Sequence, residues 1–258
     1  MCETHDSQPP VEPRGEGVSA QGDFHLVGSD GNRPMAYFAR AVEPRSIGVV
    51  IVPARLGLLP FYKTLTVRFA EIGIDAVALD LYGRTAGDIP RNDDLPFETH
   101  YEAMTQESSR GQVDSDVRAA VDFLKSDEGG AVEQVFTVGF CFGGSVSWWQ
   151  SAIDPRLSGC VGLYGAPRYL LDLVPQMTAP LLLLHAGDDA FIPPEEVNGF
   201  ERDLTNAGIP FEAKVYPGAP HSFFDRRFAE HREAAADAWS RILAFIDARA
   251  QDAHGSGS

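Results

Sequence analysis

Long apolar runs are missing from this chain: nowhere in its 258 residues do roughly eighteen apolar residues follow one another, so no segment is suited to span a bilayer. Cysteine is scarce. Cys2, Cys141 and Cys160 cannot all be paired, and none stands in a Cys-x-x-Cys spacing, so neither a disulfide framework nor a zinc knuckle is expected and the thiols should be reduced. Positive charge is also short. With 21 Lys+Arg against 37 Asp+Glu the net charge is −16, a field that repels phosphate backbones and anionic headgroups, so nucleic acid and membrane are not expected partners. The first 22 residues have neither the basic start nor the apolar stretch of a secretory signal, and a cytoplasmic location is the expectation.

What is present is an ordinary globular composition, 44% hydrophobic and 22% charged. Residues 1–22, polar and rich in Pro and Gly, read as a disordered tail, residues 23–252 as one domain, and residues 253–258 as a second tail. Phe24 to Val27 and Pro34 to Arg40 flank a Gly-Ser-Asp-Gly-Asn turn and suit a hairpin. From Ile47 onward, short continuous apolar runs alternate with longer amphipathic segments. The runs are 47–52, 75–79, 134–139, 159–164, 180–185 and 211–216; helices are expected near 60–72, 113–125, 143–151, 194–207 and 228–250. This alternation predicts an α/β fold, a mostly parallel central sheet with helices on both faces. Residues 85–112 are too long and polar for a simple connection and read as an excursion at the mouth of a site.

Val135 to Phe140 leads through Gly139-Phe140-Cys141-Phe142-Gly143 directly into a helix-like segment. Strand, sharp turn and helix are the context of a nucleophile elbow, with cysteine in place of the more usual serine. Glycines suit positions 139 and 143 because the strained turn brings the flanking backbones together, where side chains would collide. The following helix start offers positive partial charge and N–H groups, which favour a thiolate and can bind an oxyanion. Cys160, inside an apolar run, reads as a buried structural thiol.

An elbow calls for an acid and then a base on later loops. Asp188 and Asp189 follow the run ending at His185, and spacing does not separate them. His221 lies in the Gly/Pro loop after the run ending at Tyr216. The other histidines lie in tails, on a helix or without catalytic context; His185, ending a buried strand, is expected to bond to backbone.

Together Gly139-Phe140-Cys141-Phe142-Gly143-Gly144, Asp189-Ala190-Phe191-Ile192-Pro193 and His221-Ser222-Phe223 resemble the dienelactone hydrolase family, and the likeness extends over about residues 24–250. The resemblance implies an α/β-hydrolase fold, no cofactor and no metal, and hydrolysis of a lactone or small carboxylic ester through a thioester on Cys141, with His221 as base and Asp189, rather than Asp188, as its acid. It further implies oxyanion donors at the backbone N–H groups of Phe142 and Arg55, and substrate-carboxylate binding by Arg84. The expected partner is a small, anionic ester or lactone, and the expected state a monomer or weak homo-oligomer. Two departures stand out: Ala54 occupies the place of a family glutamate that helps to activate the cysteine, and Asp225 that of a second carboxylate-binding arginine, for which Arg226 or Arg227 could substitute. A broad carboxylesterase or thioesterase, or a non-catalytic binding protein on a hydrolase scaffold, remain alternatives. A glutamine amidotransferase would need a glutamate where Phe223 stands.

Overall fold

Among the residues described by the computed structural model, which are 3–15, 17–82 and 109–255 with side chains as far as Gln251, eight strands form one sheet. They are β1 (Ala20–His25), β2 (Met35–Arg40), β3 (Ile47–Val52), β4 (Asp75–Leu79), β5 (Gln134–Phe140), β6 (Leu157–Leu163), β7 (Leu181–Asp188) and β8 (Phe211–Pro220), in the order β1-β2-β4-β3-β5-β6-β7-β8. The hairpin β1–β2 and the pair β2–β4 are antiparallel, and every other neighbouring pair is parallel. The α/β architecture is therefore as expected.

Five of the six apolar runs became strands with both faces covered, whereas the sixth became β8, a largely exposed strand at the sheet edge. All six residues of β3 are buried: Ile47, Val49 and Ile51 face a cluster with α1 (Pro60–Ala70) and α5 (Arg232–Gly255), while Val50 and Val52 face one with α2 (Arg110–Lys125), α3 (Phe142–Ile153) and α4 (Pro194–Ala207). On α5, Ala235, Ile242 and Ile246 are buried and Trp239 and Leu243 pack beside them, the stripe expected from their spacing. α2 starts with a capping box in which the Ser109 side chain accepts the Gln112 N–H and the Gln112 side chain accepts the Ser109 N–H at 2.8 Å. Most of the expected excursion over 85–112 lies outside the described residues. None of the helices described is long and apolar enough to cross a membrane.

The polar segment ahead of β2 differs from the expected loose tail. β1 begins at Ala20, and its residues are exposed or half-buried, as suits an edge strand without an apolar signature. Further upstream, Glu3 and Ser7 are fully buried. The Ser7 N–H donates to the Thr4 carbonyl at 3.0 Å, the Gln8 N–H to Asp225 Oδ1 at 3.2 Å, and the Arg226 N–H to the Gln8 carbonyl at 2.8 Å. Satisfied backbone groups and a long-range anchor hold a stretch whose composition alone predicts none.

Candidate active site

Parallel strands end together, so the loops after β3, β5, β6, β7 and β8 meet at one edge of the sheet. Only Cys141 separates β5 from α3, and the reversal puts it at φ 54°, ψ −118°. Such backbone costs on the order of 1–3 kcal/mol and persists where the surroundings enforce it. Here the Cys141 N–H donates to the Leu163 carbonyl at 3.0 Å, and its carbonyl accepts the Gly144 N–H at 2.9 Å. A Cβ at Gly139 would lie 1.8 Å from the Gly143 carbonyl oxygen, and one at Gly143 would lie 2.2 and 2.3 Å from those of Val52 and Pro53. Both positions therefore exclude a side chain, and the loop carrying Ala54 and Arg55 is pressed against the start of α3. Cys141 is partly buried, whereas Cys160 is sealed in the interior, where burial pushes its thiol up to about 12.

Pairing of Asp188 with Pro220 brings the loops after β7 and β8 side by side. There His221 Nδ1 lies 2.7 Å from Asp189 Oδ2, with only 6% and 3% of the two side chains exposed. The other Asp189 oxygen accepts the N–H groups of Phe191 at 2.9 Å and Ile192 at 3.3 Å, which fixes the carboxylate before it meets the ring. Asp188 is exposed, so the choice that spacing left open falls to Asp189. A carboxylate at Nδ1 holds the proton there and directs Nε2 away from it.

Sequence reasoning missed Tyr164, the residue after β6. Its ring centroid is 5.0 Å from that of His221, and its backbone is left-handed, with φ 40°. Burial above all, then negative charge at Glu3 and Tyr62, holds its phenol well above the usual range, while its ring packs against that of His221. Tyr164 donates its hydroxyl to Glu3 Oε1 at 2.7 Å; Tyr62 on α1 donates to Glu3 Oε2 at 3.2 Å and accepts the Ala54 N–H at 2.9 Å. The aromatic close of an apolar strand was a visible signal for Tyr164; a glutamate in a polar tail was none.

Phe142, the first residue of α3, is partly buried with its ring against Trp149 and Tyr169. Arg55 is partly buried in the β3–α1 loop, and its carbonyl accepts the Tyr82 hydroxyl. Arg84 lies outside the described residues. Arg226 turns toward the N-terminal segment, 3.3 Å from Glu12. Arg227 is held by Asp225 at 2.7 Å and by Thr4 Oγ1 at 2.6 Å, yet it lines a depression of about 430 Å³ together with His221, Phe191 and Phe228. Phe191 covers His221 edge-on at 5.1 Å and is 55% exposed, while Phe61, Tyr62, Phe223 and Phe224 belong to the core. A second depression, of about 300 Å³, opens between Arg45, Ile47 and Gln134 at the opposite strand ends, remote from this chemistry.

The expectation for His185 needs correction. Among the described residues its Nε2 has no hydrogen-bond partner, and the ring packs on Trp148 at 5.6 Å. Burial pushes its pKa down to about 4, so it is neutral at pH 7. No group of three or more His, Cys, Asp or Glu among the described residues could hold a metal ion.

The model of the dienelactone hydrolase family matches residues 35–249. A Salmonella typhi protein named "putative carboxymethylenebutenolidase" is 31% identical over 229 residues, covering 84% of this chain and 83% of its own length. An Escherichia coli K12 protein of the same name is 31% identical over 233 residues, covering 85% and 84%. Among solved structures, a "putative dienelactone hydrolase" from Klebsiella pneumoniae superposes with a TM-score of 0.79 at 29% identity, covering 88% of this chain and 98% of that one. The sheet order and the elbow between β5 and α3 are, with these likenesses, those of the α/β-hydrolase fold.

Proposed function

Because the chain belongs to the dienelactone hydrolase family, we propose that it cleaves a lactone or small carboxylic ester through an acyl group carried on Cys141. His221 takes the thiol proton as Sγ attacks the carbonyl carbon. The oxyanion is held by the N–H groups of Phe142 and Arg55, at a helix start where first-turn N–H groups lack an intrahelical partner. The leaving alkoxide receives the proton from His221, and water, deprotonated by the same ring, releases the acid. Asp189 keeps the proton on Nδ1 and stabilises the imidazolium.

The observation that carries the reading is the 2.7 Å pair of His221 and Asp189 on loops at the same sheet edge as a cysteine in strained backbone. Cys141→Ala should lower kcat on 4-nitrophenyl acetate by on the order of 10⁴ to 10⁶, as in serine triads. Near-parental turnover would refute the assignment.

Arg227, at the wall of the depression, and Arg84 are the cations offered to an anionic substrate. Engagement of Arg227 by Asp225 favours a second, broader reading, a carboxylesterase with no need of an anionic group. The kcat/KM on neutral and on carboxylate-bearing aryl esters separates the two, a preference above about tenfold for the latter supporting the anionic one.

A further inference from the structure

Carboxylates are almost never fully buried unless their oxygens are satisfied, and Glu3 is at 0% exposure. Both oxygens accept phenols, and each phenol leads to a different part of the site. Tyr62 also accepts the N–H of Ala54, next to Arg55, so it tethers the loop after β3. Tyr164 supports the ring of His221. The segment that delivers Glu3 is tied down as well: Thr4 N–H donates to Ser7 Oγ at 2.8 Å, and Thr4 Oγ1 accepts from Arg227, six residues past His221.

We propose that Glu3 is a positioning residue of the active site: its carboxylate clamps Tyr62 and Tyr164, and so sets the loop that carries Arg55 against the ring of His221. A carboxylate fixed behind Tyr164 also favours the imidazolium that forms when His221 takes a proton. The inference rests on the hydrolase reading above. Two hydrogen bonds to a residue 59 and 161 positions away in sequence stabilise a geometry that neither tyrosine would keep alone.

The test uses the full-length chain, 4-nitrophenyl acetate, and thermal unfolding measured on each variant. Glu3→Gln, nearly isosteric, should keep the parental Tm within a few degrees, lower kcat about tenfold and leave KM within about twofold. Tyr164→Phe should lower kcat similarly, and the double variant should be no slower than the slower single one, because both changes cut one chain of contacts. Glu12→Gln, at the exposed partner of Arg226, should behave as the parent. Parental kcat in Glu3→Gln, or losses that multiply in the double variant, would overturn the proposal. If Glu3→Gln does not fold, Tyr62→Phe and Tyr164→Phe carry the test, and independent, multiplying losses overturn it. Cys141→Ala, assayed alongside, keeps the failures apart: if it is inactive while Glu3→Gln is unchanged, only the clamp is lost; if it is active, the hydrolase reading falls.

Discussion

Replacing Asp189 by Asn probes the base without dismantling its loop. One Asp189 oxygen accepts the N–H groups of Phe191 and Ile192, and an asparagine carbonyl can keep both. The amide nitrogen then faces His221 Nδ1 across a 2.7 Å contact in a nearly sealed site, and it can only donate. The imidazole must answer with a lone pair at Nδ1 and carry its proton on Nε2, the nitrogen that should receive the proton of Cys141. In a serine protease this tautomer reversal costs about 10⁴ in kcat, and a thiol, being more acidic than a hydroxyl, depends on its base less. A loss of about 10² to 10⁴ follows, equivalent to roughly 3–5 kcal/mol of transition-state stabilisation.

The assay is kcat and KM on 4-nitrophenyl acetate from about pH 6 to 9, a range spanning imidazole titration, with thermal unfolding as the control for folding. Asp188→Asn removes an exposed carboxylate one residue away and should leave kcat within about threefold. An Asp189→Asn variant that folds and turns over within about threefold of the parent would show that the pair does not serve as acid and base.

Two further substitutions test the elbow and the interior. Gly143→Ala places a methyl 2.2 and 2.3 Å from the Val52 and Pro53 carbonyl oxygens, so either α3 or the β3 loop must move by about 1 Å; a Tm lowered by several degrees and a loss of 10² or more in kcat are expected, and parental values for both would contradict the packing. His185, with its pKa pushed down to about 4 by burial, stays neutral in the fold while the unfolded chain takes up a proton below about 6.5. The unfolded state then binds more protons, so stability falls with pH across that window, by about 2 kcal/mol between pH 7 and pH 5 from this group alone. Urea unfolding at the two pH values should show that drop in the parent and a clearly smaller one in His185→Gln; equal drops would mean that another group, such as Glu201 at 3.9 Å, sets the slope.

Legibility in the sequence followed local cause. β3 and β4 occupy the residues expected because strands buried on both faces are apolar throughout, and α4 begins and ends as expected because Pro194 opens it and Gly208, at φ 72°, closes it. The first strand of the hairpin, expected at Phe24 to Val27, runs instead over Ala20–His25, because an edge strand with exposed side chains carries no apolar period to mark its start. Cys141 and His221 were legible through glycines and loops that only a tight turn needs. Spacing alone could not separate Asp188 from Asp189, because one residue's rotation decides which carboxylate meets the ring; only the family resemblance pointed to Asp189. Glu3 left no trace at all, since its partner Tyr164 is 161 residues away and the polar stretch that follows it carries no apolar period.

That last contact changes how the alanine at position 54 should be read. Where the family resemblance implies a glutamate in the loop after β3, this chain has alanine. In three dimensions the Ala54 N–H donates to Tyr62, and Tyr62 donates to Glu3, so a carboxylate stands two hydrogen bonds away, contributed by the N-terminal segment. A glutamate at position 54, which is buried as Glu3 is, would bring a second carboxylate into the same interior, and two such groups could not both ionise without cost. A small, uncharged residue at position 54 and a buried acid at position 3 are thus mutually consistent, and neither can be judged present or missing by its own position alone.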